Sequence, residues 1–98
     1  MYLSHEQEAI STAVKTVSDL TVPANATHCE LQAVTNNINY TMDNSTDPTA
    51  GAGGVGMVLR TTDPPKAFLI EDLRRGRFIR GAAADAVLAV HYFAGRDV

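Results

Sequence analysis

His28-Cys29-Glu30-Leu31-Gln32-Ala33-Val34-Thr35-Asn36-Asn37-Ile38-Asn39-Tyr40-Thr41-Met42 is the stretch on which the fold turns. Cys29, Leu31 and Ala33 alternate with Glu30 and Gln32, and beyond Asn36-Asn37 the residues Ile38, Tyr40 and Met42 alternate with Asn39 and Thr41. A period of two puts every second side chain on one face, so each half predicts a half-buried strand with a turn at the paired asparagines. Asp43-Asn44-Ser45-Thr46-Asp47-Pro48 then breaks the chain. Each of its residue types favours a turn, by a side-chain bond to nearby backbone or by a fixed φ.

The same punctuation recurs outward from this hairpin. Leu20-Thr21-Val22 reads as a strand ending at the turn Pro23-Ala24-Asn25-Ala26. Met57-Val58-Leu59, Lys66 to Ile70 and Arg77 to Arg80 read as further strands, the second of them buried. Ala86-Val87-Leu88-Ala89-Val90-His91-Tyr92-Phe93 is the longest apolar run and predicts a central strand covered on both faces. Glu71 to Gly76 reads as one helical turn or a loop, and the alanines at 82–84 as a turn, too few to hold an isolated helix. About seven short strands at intervals of roughly ten residues predict an all-β fold, a small antiparallel sandwich or a jelly-roll-like barrel.

Residues 1–19 stand apart from this domain of residues 20–98. Ser4-His5-Glu6-Gln7 has the form of a capping box, whereas the run Thr12, Val14, Thr16, Val17 favours extended chain. Both conformations are open, and the segment is expected to be an arm that orders against a neighbour. The chain of 98 residues carries a formal charge of −3, which argues against a nucleic-acid partner. No run is apolar enough for a membrane span, and the first residues lack the pattern of a secretion signal.

Candidate chemistry is sparse. Gly51-Ala52-Gly53-Gly54-Val55-Gly56 matches the letters of a dinucleotide fingerprint, but no strand precedes it and no helix follows, so a flexible hairpin connection is expected instead. His5, His28 and His91 lack metal-ligand spacing, and His91 is expected to be a core or interface histidine. Asp43 and Asp47 lack the pattern of a calcium loop, so an Asx-turn is expected. Cys29 is the single cysteine and has no partner for a disulfide or a nucleophile pair. No catalytic residue, cofactor or metal is expected. Arg74, Arg75, Arg77 and Arg80 place four of the eight basic residues within seven positions. They are either a solvated edge that resists aggregation or a docking patch for an acidic partner surface.

Two resemblances follow from the turns and strands. Ile38 to Thr49 resembles the Y-T-x-D-G-S-x-P-T hairpin of small β-sandwich modules appended to chitobiases, with Asn44 where glycine is usual. Over a longer span, Leu20-Thr21-Val22-Pro23-Ala24-Asn25-Ala26-Thr27-His28, the Tyr40–Thr49 hairpin, Arg77-Phe78-Ile79-Arg80 and Val87 to Tyr92 resemble a family of short virion proteins of tailed bacteriophages. Asn25 replaces the glycine of the first turn, and Lys66 to Gly76 is less typical. The second resemblance implies a structural virion protein made in the host bacterial cytoplasm, best matched by a capsid decoration or cement protein. It implies a homo-oligomer, a dimer or trimer, that binds the major capsid protein or other virion subunits. The interface expected from it comprises Arg74, Arg75, Arg77, Arg80 and, in the arm, Tyr2 and Leu3. A neck or tail-fibre attachment component is the nearest alternative. A carbohydrate-binding module is a further one, which would need an exposed aromatic platform that Tyr2 alone does not supply.

Overall fold

The computed structural model describes residues 1–95 and is all-β, a small sandwich of two antiparallel four-stranded sheets. The strands are β1 (Tyr2–Ile10), β2 (Lys15–Thr16), β3 (His28–Val34), β4 (Ile38–Thr41), β5 (Met57–Leu59), β6 (Lys66–Leu69), β7 (Arg77–Arg80) and β8 (Ala86–Phe93). One sheet has the order β1-β8-β3-β6 and the other β2-β7-β4-β5. A single helical turn, α1 (Ile70–Leu73), follows β6. No helix among the described residues is long and apolar enough to cross a membrane.

The core lies between the inward faces, and strand alternation supplies it. Cys29, Leu31 and Ala33 from β3 and Leu88, Val90 and Tyr92 from β8 are buried against Ile38 and Tyr40 of β4, Leu59 of β5 and Phe78 of β7. The Tyr40 ring stacks on Phe78 at 6.2 Å and meets Phe68 of the other sheet edge-on at 6.0 Å, so one aromatic ties the two layers together. Burying each large apolar side chain of this kind contributes about 1.5–3 kcal/mol.

Three expectations are corrected. Leu20-Thr21-Val22 is not a strand; Leu20 and Val22 pack against the core from irregular chain. Residues 1–19 contain β1, paired with β8 along its length, so this segment is a full edge strand of the sheet. Lys66 to Ile70 is not buried throughout: β6 is an edge strand with Ala67 and Leu69 exposed, and Ile70 already belongs to α1.

β1 carries its own protection against edge-to-edge pairing. Glu6 and Glu8 lie on the inward parity of this strand, where charge discourages a second strand from docking. Glu6 Oε2 accepts from the Tyr92 hydroxyl at 2.5 Å and from the Thr21 N–H at 2.8 Å. Glu8 pairs with Lys15 at 3.6 Å. Burial, reinforced by the Glu6 carboxylate, raises the pKa of the Tyr92 hydroxyl well above its ordinary value.

Candidate functional site

The two outward faces of the sandwich are built differently. Over β4 and β7 the chain from Asp43 to Gly56 folds back and covers the sheet. Asn39, outward on β4, donates from Nδ2 to the carbonyls of Thr49 at 2.8 Å and Gly51 at 2.9 Å, and is 1% exposed. Its Oδ1 has no partner among the described residues and lies where a Cβ on residue 81 would stand 2.7 Å away, which leaves room only for Gly81. The Asx-turn expected at Asp43 is formed, with Oδ1 accepting from Ser45 N–H at 3.0 Å and Thr46 N–H at 2.8 Å. Those backbone bonds hold the Asp43 carboxyl down at about 2. Asn44 adopts φ 59°, the positive value for which glycine or asparagine is suited.

The glycine-rich segment closes this cover. Thr49 N–H donates to Val55 C=O at 3.1 Å, and a Cβ on Gly54 would stand 2.2 Å from the Thr49 carbonyl oxygen. Close backbone approach within a connection from β4 to β5 is therefore what these glycines provide.

The outward face of the β1-β8-β3-β6 sheet carries no such covering loop. The strand register sets its side chains in four cross-strand rows. Tyr2, Phe93, His28 and Leu69 form the first row, and His5, His91, Glu30 and Ala67 the second. Gln7, Ala89 and Gln32 form the third, and Ala9, Val87 and Val34 the last. All three histidines of the chain share this face, with Glu30 as its single carboxylate and no lysine or arginine.

At one end the rings make a cluster. Tyr2 meets Phe93 edge-on at 5.6 Å and 74°, and lies 5.8 Å from His91. His5 stacks on His91 at 5.4 Å, and the Tyr2 hydroxyl stands 2.9 Å from His5 Nδ1. Tyr2 and Leu69 are each 49% exposed. An open depression of about 370 Å³ continues the face past His28, between Ala26–His28 and Leu69–Arg74.

The residues expected at an interface separate into three groups. Arg77 is turned onto the covering loop, donating to Asp47 Oδ1 at 2.6 Å and to the Ser45 and Asn44 carbonyls at 3.1 and 3.0 Å. Arg80 donates to Asp85 Oδ1 at 2.9 Å. Arg74 and Arg75 are exposed just after α1, and Arg74 borders the depression. Tyr2 belongs to the open face, whereas Leu3 packs toward the core beside a register shift between Tyr2 and Ser4.

Two expectations about β8 change with this face. Phe93 is not in the core, and the strand is fully covered on its inward side only, with Val87, His91 and Phe93 half-buried on the other. The signal was present in the run itself, because Phe93 and His91 share parity opposite Leu88, Val90 and Tyr92. Cys29 lies on the inward side of β3, where burial pushes its thiol up to about 12, so it stays protonated at neutral pH. Among the described residues no group of three or more His, Cys, Asp or Glu side chains is arranged to hold a metal ion. No protein-family model, curated protein or solved structure matches this chain.

Proposed function

We propose that this chain is a structural protein of a tailed-phage virion, a decoration or cement protein that binds and stabilises the major capsid shell. The observation that carries this is the open outward face of the β1-β8-β3-β6 sheet: weakly charged, aromatic at one end and mounted on four paired strands. Protein contact surfaces favour this composition, with aromatic residues enriched and charge depleted at their centre. The resemblance of the Leu20–His28, Tyr40–Thr49 and Arg77–Arg80 segments to short virion proteins supports the same assignment.

Arg74 and Arg75, exposed beside that face, are the residues proposed to meet acidic surface on the shell. Arg77 and Arg80 are left out of this contact because their guanidinium groups hold loops of their own chain. The test is binding of the purified protein to particles that lack it. Saturation at hundreds of copies per particle is expected, and Arg74→Glu with Arg75→Glu should abolish it while circular dichroism is unchanged. Occupancy limited to a dozen copies would move the assignment to the neck or tail, and no occupancy would overturn it. A sugar-binding role is less well supported, because Tyr2 and Phe93 meet at 74° and do not present one flat platform.

A further inference from the structure

We infer that the open face of the β1-β8-β3-β6 sheet is where two copies of this chain pack face to face, and that acidification separates them. The inference names the occupant of the face invoked in the proposed function. Its test uses the purified chain alone, so the two succeed or fail separately.

Shape favours a second copy. The large side chains of Tyr2, Phe93 and Leu69 gather in the first row, while the last row is Ala9, Val87 and Val34. A two-fold axis between the second and third rows lays the first row of each copy over the last row of the other. Rings then sit over small side chains at both ends, and the contact is isologous. Stacked sheets interdigitate in this way at a spacing of about 10 Å.

Area and charge agree with that occupant. Four strands spaced about 4.8 Å apart and about eight residues long give a face of about 500 Å² per copy in projection. Two copies therefore cover about 1,000 Å² in total, the lower range for a specific interface. A strongly charged partner would leave its own charges unpaired here, since Glu30 is the single carboxylate and no basic residue is present. The same two-fold axis brings Glu30 over Gln7 and Gln32 of the other copy, whose amides can donate to the carboxylate.

The histidines make the contact sensitive to pH. His5 and His91 stack at 5.4 Å on neighbouring strands, and His28 lies one row away on β3. The titratable groups facing them are Tyr2 on β1 and Glu30 on β3, with Glu71 and Arg74 beside His28 at the depression; β6 contributes Ala67 and Leu69, which carry no charge. An imidazole ordinarily gains its proton near pH ~6.5. Protonation adds three positive charges per face against one carboxylate, and packing would bury that excess twice over.

Sedimentation equilibrium tests this directly. At about pH 7.5 the chain is expected to form a concentration-dependent dimer, with dissociation at least tenfold weaker to resist at about pH 5.5. Gln7→Lys and Gln32→Lys, on two different strands, should each raise the dimer Kd by at least tenfold. Val55→Lys, exposed on the connection between β4 and β5, should leave it unchanged. His5→Gln with His91→Gln should keep the dimer and flatten its response to pH. A chain that stays monomeric at about 0.5 mM overturns the inference. So does a dimer that Val55→Lys disrupts as strongly as Gln7→Lys, or one that a metal chelator dissolves. Monomers that still fill particles would leave the proposed function standing, whereas dimers that bind no particle would count against that function alone.

Discussion

The two outward faces of this sandwich meet the same requirement by opposite means. The face over β4 and β7 is covered by its own chain: Asn39 and Arg77 pin the 43–56 connection down with side-chain bonds to its backbone. The face over β1, β8 and β3 is left open, with histidine and aromatic rings touching across strands. A sheet face closed from within contributes to the stability of the single chain. One left open is available to a partner, and its residues matter for association more than for folding.

That contrast makes stability the instrument for breaking it. Asn39→Ala should have the largest effect, because two buried carbonyls lose their donor at a site with no room for adjustment. A loss of about 2–3 kcal/mol is expected from the unsatisfied groups. Thermal unfolding should then show a Tm lower by about 10 °C or more. Arg77→Met removes three donated bonds from a half-exposed guanidinium and should cost less, about 1–2 kcal/mol by urea titration. Equal costs for Arg77→Met and Arg74→Met would show that the loop clamp is not what the geometry indicates.

On the open face the expected numbers are small. Gln7→Lys should change the stability of the monomer by no more than about 0.5 kcal/mol, measured at a dilution where the chain is monomeric. A larger loss there would mean that this face is part of the folding unit, and the comparison would fail. The smallest global effect is expected from Asp43, which is fully exposed. Its carboxyl is held down at about 2, below the ordinary 3.8, so its stabilising contribution is present above pH 3.8 and is lost as pH falls toward 2. Hydrogen exchange at the Ser45 and Thr46 amides should accelerate over that interval while the core amides of β3 and β8 stay protected.

Legibility in the sequence followed the same division. β3, β4 and β8 were plain because each alternates cleanly, and the turn at Asp43–Pro48 was plain because its side chains bond their own neighbours. β1 was not, because Glu6 and Glu8 occupy inward positions that a strand would normally give to apolar residues. Their partners, Tyr92, Thr21 and Lys15, are brought near only by folding. Leu20-Thr21-Val22 misled for the converse reason: its apolar residues pack on the core without entering a ladder. Arg77 and Arg80 formed a cluster in the sequence with Arg74 and Arg75, yet Asp47 and Asp85 draw them into their own chain.

What the sequence determined by itself is therefore local: the period-two strands, the positive φ at Asn44 and the Asx-turn at Asp43, each fixed by interactions between near neighbours. The pairing of strands distant in the chain was decided only in the tertiary structure. It gathers Tyr2, His5, His28, His91 and Phe93 onto one face and turns Asn39 under the 43–56 loop. Alternation says that a side chain has a face; it does not say which strand lies beside it or what covers it. Those are properties of register and of sheet order, set by burial across the whole domain.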